Sequence, residues 1–203
     1  PTAAFADDAN TLCLIHSLTA NNSTSIVDGG AVNTTGDINS VVASYPTYGQ
    51  SIVSYTGTGS AATVGHGLSA APEWILIKNR DVTDPWAVYY GDNTDYLVLN
   101  ENAATVDAAT YWNDTSPTSS VFTVNTAHSV NADGEKYIAY CFDSVAGYSS
   151  IGTYTGSGSA GSPTVTTGFA PAFVMVKRTD AASSWMMYDN ARNPTSTGNS
   201  YVL

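Results

Sequence analysis

"SYTGTGSA" at Ser54–Ala61 and "TYTGSGSA" at Thr153–Ala160 are nearly the same turn-rich octapeptide, and reading them as a pair decides the fold. Aligning Tyr55 with Tyr154 sets an offset of 99 (154 − 55), which then holds without a gap. Ala71-Pro72 falls on Ala170-Pro171, "WILIK" at 74–78 on "FVMVK" at 173–177, Trp86 on Trp185 and Tyr89 on Tyr188. The later copy has extra residues in "DNARNPTSTGNS" before "YVL" at Tyr201–Leu203, which matches "YLVL" at Tyr96–Leu99 in kind. Self-similarity at a fixed period is the signature of an internal duplication. The expected organisation is an N-terminal strand-containing segment and linker over 1–50, a first repeat over 51–147, and a second over 148–203 that stops partway.

Within the first repeat, "SIVSYTG" alternates apolar and polar residues, and "EWILIKN" is a dense apolar run with β-branched residues at its centre. "PWAVYYG", "DYLVLN", "SVFTVN" and "KYIAYCF" follow at short spacing. Such runs of four to eight residues read as strands. The segments between them are rich in Gly, Pro, Asn, Asp and Ser, as turns require. Asp133-Gly134 suits a type I′ hairpin, and "ENAATVDAAT" at 101–110 is the one stretch with a trace of helical character. Evenly spaced short strands predict an all-β fold of tandem antiparallel β-sandwiches, jelly-roll or lectin-like, one per repeat. Trp74 and Phe173, at matching positions inside apolar runs, are expected to fill the sandwich cores.

Composition narrows the function. Only 11% of the 203 residues are charged, against roughly 25% in an average domain, yet 13 Tyr, 4 Trp and 5 Phe are spread along the chain. That profile belongs to an ordered, hydroxyl-rich β-protein, because disorder goes with high charge and few aromatics. A net charge of −11 with 6 Lys and Arg leaves nothing to neutralise phosphates, which argues against nucleic acid and anionic membranes. No apolar run reaches the length needed to span a bilayer. "PTAAFADDAN" has neither the basic stretch nor the apolar core of a signal peptide. Cys13 and Cys141 make neither a disulfide framework nor a zinc site and read as small core residues, in keeping with assembly in a reducing cytoplasm.

The pattern "SIVSYTGTGSAATVGHGLSAAPEWILIKNR…W…YLVLNENAAT…FTVN…NADGEKYIAYCFDSVAGYSSIGTYTGSGSA…TGFAPAFVMVKRTD…W" resembles the repeated β-domain of marine and cyanobacterial bacteriophage tail-fibre or virion structural proteins, a domain of unknown function. The resemblance covers about residues 36–203, and the junction "YIAYCFDSVAGYSSIGTYTGSGSA" is its most specific part. It implies a place on the exterior of a phage particle and a role in structure or attachment. It supplies no catalytic residues.

The residues themselves point to little chemistry. His16, His66 and His128 have no partner at ligand spacing and no recognisable nucleophile motif, and "GHG" at 65–67 reads as a turn. Glycan hydrolysis needs two facing acids, and the later repeat keeps neither Asp84 nor Glu101 in kind. Asp81, Asp84, Asp92 and Asp95 form two Asp-x-x-Asp spacings, hard oxygen ligands that suit Ca²⁺ but lack the EF-hand pattern and are also default turn residues. Calcium is the only cofactor candidate they raise. Trp86, Tyr89, Tyr90, Trp112 and Trp185 are the candidates for an aromatic platform toward sugar faces or another protein, against core packing. Asn21, Asn33 and Asn113 match the N-glycosylation pattern, as chance allows in a chain rich in Asn and Thr. The expectation is a non-enzymatic virion protein, a homo-oligomer bound to other virion proteins and to a host-surface glycan. Trimers are usual for fibres, although no residue fixes that number. The alternatives are a capsid decoration protein, a polysaccharide-degrading tail spike and a bacterial surface adhesin.

Overall fold

The computed structural model describes residues 30–159, 163–190 and 201–202. In chain order the strands are β1 (Ala31–Asn33), β2 (Ser40–Tyr45), β3 (Gln50–Thr56), β4 (Ala62–Gly65), β5 (Trp74–Asn79), β6 (Ala87–Tyr89), β7 (Asp95–Val98), β8 (Val106–Asp107), β9 (Val121–Val124), β10 (Lys136–Phe142), β11 (Phe173–Val176), β12 (Met186–Asp189) and β13 (Tyr201–Val202). Among the described residues, two single α-helical turns, α1 (Ala109–Trp112) and α2 (His128–Asn131), and a 3-10 turn at Pro46–Tyr48 interrupt them. All the strand pairs are antiparallel. The fold is all-β with few helices.

β10 organises the largest sheet, whose order is β1-β2-β3-β10-β5-β6-β7-β8. Its sequence alternates, so Tyr137, Ala139 and Cys141 face inward fully buried while Ile138, Tyr140 and Phe142 lie half-buried on the opposite face. It pairs with β3 on one side, Tyr137 opposite Tyr55, and with β5 on the other, Cys141 opposite Ile75. β1 and β2, which lie within the segment 1–50 expected to hold a strand and a linker, continue this sheet beyond β3. Val42 lies opposite Val53, and both enter the core together with Ile38.

The inner face of the main sheet packs on the two-stranded β4–β9 sheet, α1 and α2. Val53, Ile75, Ile77 and Tyr137 meet Val64, Phe122, Val124, Trp112 and Val130 there. Full burial of each such apolar side chain is worth roughly 1.5–3 kcal/mol. α2 is tied down by two tyrosines stacked at 5.2 Å. Tyr55 Oη donates to Val130 O and Tyr137 Oη to His128 O, each at 2.6 Å. The Asp133-Gly134 turn therefore joins α2 to β10 and closes no hairpin, because β9 has its partner in β4. "ENAATVDAAT" becomes β8 and the start of α1.

The first octapeptide is the turn that docks on α2. Gly57 N–H donates to Glu135 O and Gly59 N–H to Asn131 O, while the Asn131 side chain accepts from Thr58 N–H and donates to Ser60 O. A Cβ on Gly57 would lie 2.1 Å from Ala132 O, so only glycine permits this approach.

The other face of the main sheet carries a second cluster. Trp185, 5% exposed, packs with Val88 and Leu97, flanked by Trp74, Leu76, Tyr90, Leu99 and Met175. Trp74 thus lies on the outer face, since its neighbour Ile75 takes the inner one, and Phe173 is 39% exposed; neither fills a sandwich core. β11, β12 and β13 form a separate three-stranded sheet. Val174 pairs with Tyr188 as Ile75 pairs with Tyr89, and Met175 pairs with Met187 as Leu76 pairs with Val88. Among the described residues, no helix is long and apolar enough to cross a membrane.

Candidate functional site

β5 and β6 are antiparallel neighbours, so the loop Ala71–Glu73 entering one and the segment Tyr89–Asn93 leaving the other meet at one end of the main sheet. With Pro117 and Ile151–Thr153 they enclose a groove of about 580 Å³. Its acids are Glu73 and Asp92, and both are occupied in holding turns. Glu73 accepts from Ser144 N–H at 2.9 Å and from the Ser144 hydroxyl. Asp92 Oδ1 accepts from Thr94 N–H at 3.0 Å and Thr94 Oγ1 at 2.9 Å, bonds that hold its carboxyl below the usual range. Glycoside hydrolysis needs one carboxyl kept protonated opposite an ionised one. Asp92, held ionised, does not supply that acid. Burial pushes Asp143 upward, with Glu73 adding to the effect, but Asp143 does not line the groove.

What the groove offers is a polar, aromatic-edged surface. Tyr90 is half-buried, donates weakly to Asp95 Oδ2 at 3.5 Å, and has its hydroxyl pushed up to about 12 by burial and then by the charges of Asp95 and Asp92. It remains a neutral donor and acceptor beside an apolar ring. Trp86, also half-buried, does not line the groove and stacks on Tyr140 at 6.2 Å.

The other three platform candidates are interior. Trp112 is 1% exposed, meets Tyr89 edge-on at 5.6 Å and donates from Nε1 to Asp95 O at 3.0 Å. Tyr89 is 4% exposed and gives the groove no more than an edge. Trp185 donates from Nε1 to Val98 O at 3.0 Å. Each indole N–H finds a carbonyl, which is what makes burial affordable. Of the calcium candidates, Asp81 accepts from Lys136 N–H, Asp84 meets His128, Asp92 serves Thr94, and Asp95 lies beside Tyr90. Each serves its own turn or clasp, and no group of three or more metal-ligating side chains forms among the described residues.

His128, which shows no partner in the sequence, is bracketed in the fold. Its Nδ1 lies 3.0 Å from Asp84 Oδ2 and its Nε2 3.4 Å from Glu135 Oε1. Glu135 Oε2 in turn accepts from Asn79 Nδ2 and, at 3.4 Å, from Tyr137 Oη. With a carboxylate on each nitrogen, neither is open to activate a nucleophile, so the cluster works as a clasp across three segments. The hydrogen bond to Asp84 comes first in raising the imidazole above its ordinary value of 6.5. The folded state therefore binds this proton more tightly than the unfolded chain. The clasp contributes fully below about pH 6.5 and is lost as pH rises through the folded value. Thermal midpoints of the wild-type chain and His128→Ala are expected to differ most at low pH and to converge at high pH. A gap that does not vary with pH would contradict the clasp.

His66 follows β4 directly. It is fully buried, with Nδ1 accepting from Leu68 N–H at 3.1 Å and Nε2 at 3.1 Å from Thr118 O, and burial lowers its pKa. Cys141 is a buried free thiol pushed up to about 12 by that burial. Asn33 accepts from Thr35 N–H, and Asn113 ends α1 at φ 54°. Cys13, His16 and Asn21 lie outside the described residues.

A family model described as a domain of unknown function, DUF7483, matches residues 19–203. The chain belongs to that family. No curated protein and no solved structure matches it.

Proposed function

Starting from membership of a family with no assigned activity, we propose that the chain is a non-enzymatic structural protein of a bacteriophage particle, a tail fibre or appendage contributing to host-surface attachment. The observation that carries this reading is the Trp185 joint. β11 and β12 pair in the register of β5 and β6 displaced by 99 residues, which supports reading them as part of a second copy of the first unit. That second copy seats its tryptophan on the outer face of the first, reinforced by Ser183 N–H to Asn102 O at 2.8 Å and Thr105 N–H to Thr179 O at 2.9 Å. Units packed face to face through such a joint suit a structural role built on repetition. The resemblance of the repeat to phage virion proteins supplies the particle.

The groove supports the attachment half of the reading. Tyr90, Asn93 and the rings of Pro72 and Pro117 suit the alternating apolar and hydroxyl faces of a sugar. A net charge of −11, with Glu73 and Asp92 in the wall, favours a neutral glycan over an acidic one. Many identical copies in a homo-oligomeric fibre turn weak single contacts into avidity. Tryptic peptides of this chain are expected in density-purified source particles at the abundance of other structural proteins. Their absence, with the chain present in infected cells, would remove the virion assignment.

A further inference from the structure

The end of the main sheet that holds the groove carries a second feature. Trp74 of β5 lies opposite Phe142 of β10, Phe142 opposite Gln50 of β3, and Gln50 opposite Tyr45 of β2. The entries to β5 and β3 and the exits from β10 and β2 therefore lie side by side there. The turn Pro46–Tyr48 joins β2 to β3, and a turn over 145–149 follows β10. Each presents a tyrosine: Tyr48 is 54% exposed and Tyr148 51%, with ring centroids 5.4 Å apart. A single exposed ring needs no explanation, but two in contact form a patch. Both turns flank strands that are paired on both sides, β3 and β10.

Hydrogen bonds fix both turns and tie them to the groove. Gly49 N–H closes the first on Pro46 O at 3.1 Å, and Gly49 O accepts from Asp143 N–H at 2.9 Å. In the second, Tyr148 and Ser149 N–H both donate to Val145 O at 2.9 Å, and Gln50 Nε2 donates to Tyr148 Oη at 3.4 Å. Ser144, just before that turn, donates to Glu73 and accepts from Ile151 N–H at 2.9 Å, and both of these partners line the groove. The groove and the tyrosine pair thus share one framework, with β5 and β3 two strand spacings apart, about 10 Å.

We propose that Tyr48 and Tyr148 form an outer subsite of the same binding surface, which takes a neutral oligosaccharide long enough to run from the groove across the end of the sheet. A tyrosine offers an apolar ring to the C–H face of a sugar and a polar tip to its hydroxyls. The centroid spacing is close to the length of one hexose unit and the planes are inclined by 52°, so successive units of a twisted chain meet successive rings. Exposed Ser44, Thr47, Ser144 and Ser150 surround the pair with further hydroxyls. Residues 30–73 and 137–176 contain no Lys or Arg, while Glu73 and Asp143 lie between the two subsites, which disfavours an acidic chain. A second contact to a ligand already held in the groove is intramolecular, so it raises affinity steeply. The inference rests on the glycan reading of the groove and not on the phage assignment.

The test is an NMR titration of the whole chain, ring-labelled at tyrosine, with neutral disaccharides and hexasaccharides of β-glucan, α-glucan, mannan, galactan and chitin. A hexasaccharide that binds is expected to shift Tyr90, Tyr48 and Tyr148 together, and to bind at least about tenfold more tightly than its own disaccharide. Tyr48→Ala with Tyr148→Ala is expected to abolish that preference, whereas Tyr48→Phe with Tyr148→Phe, which keeps both rings, retains most of it. A hexasaccharide that moves Tyr90 but neither Tyr48 nor Tyr148, or a preference that survives the alanine pair, overturns the outer subsite and leaves the groove reading intact. If no oligosaccharide moves Tyr90, the groove reading itself fails and this inference with it. A dimer of the chain in sedimentation that the alanine pair abolishes would assign the two rings to a protein contact and overturn the subsite as well.

Discussion

Replacing Trp112 with alanine is expected to destabilise the chain by about 3–5 kcal/mol, the range for emptying a buried tryptophan site. α1 is a single turn, and an isolated helix of that length does not hold itself together. What fixes it is Trp112, which fills the space against Tyr89 and donates to Asp95 O, joining α1 to β7. Alanine leaves both a cavity and an orphaned carbonyl. Trp112→Phe keeps most of the volume and loses only the donor, so its expected cost is smaller, about 1–2 kcal/mol. Urea unfolding with unchanged m-values measures both. A shift below about 1 kcal/mol for the alanine variant would mean that Trp112 is not the core residue described.

Replacing Trp185 with alanine separates the two sheets in a different way. The indole supplies the main apolar contact between the three-stranded sheet and the outer face of the main sheet, and two backbone hydrogen bonds remain without it. Those bonds are worth about 1 kcal/mol each, against about 3–5 kcal/mol for the tryptophan. Amides of 173–176 and 186–189 are therefore expected to lose most of their exchange protection, while β3, β5 and β10 keep theirs. Loss of protection across the main sheet as well would show that the two parts unfold as one cooperative body and that Trp185 is no joint.

Much of the fold was legible because alternation is local. "SIVSYTG", "EWILIKN", "PWAVYYG", "DYLVLN", "SVFTVN" and "KYIAYCF" each contain a strand, β3, β5, β6, β7, β9 and β10 in turn. Partners were not legible, because pairing depends on distant chain. β10 lies between β3 and β5, and nothing within its seven residues encodes that place. The short "ATVG" of β4 and the Asn-rich approach to β2 carry too few apolar residues to show their role until Val64 and Val42 meet the core.

The site was less legible than the fold, for related reasons. A tryptophan beside a turn reads equally as surface or core, and the carbonyls of Val98 and Asp95 that decide it for Trp185 and Trp112 are far away in sequence. His128, Asp84 and Glu135 come together only because α2, the β5–β6 connection and the turn before β10 converge. The four aspartates carry two readings in the sequence because turn formers and calcium ligands share the same side chain, and their partners within the protein become visible only in the fold.

The claim that most needs testing is the place of this protein in a particle. Antiserum raised against residues 51–147, with gold-labelled secondary antibody, would be applied to intact source particles and viewed by electron microscopy. Gold is expected on tail-associated fibres or appendages. Gold spread over the capsid would contradict the attachment role in favour of lattice decoration, and particles without gold, using a serum that recognises the denatured chain, would contradict the virion assignment altogether.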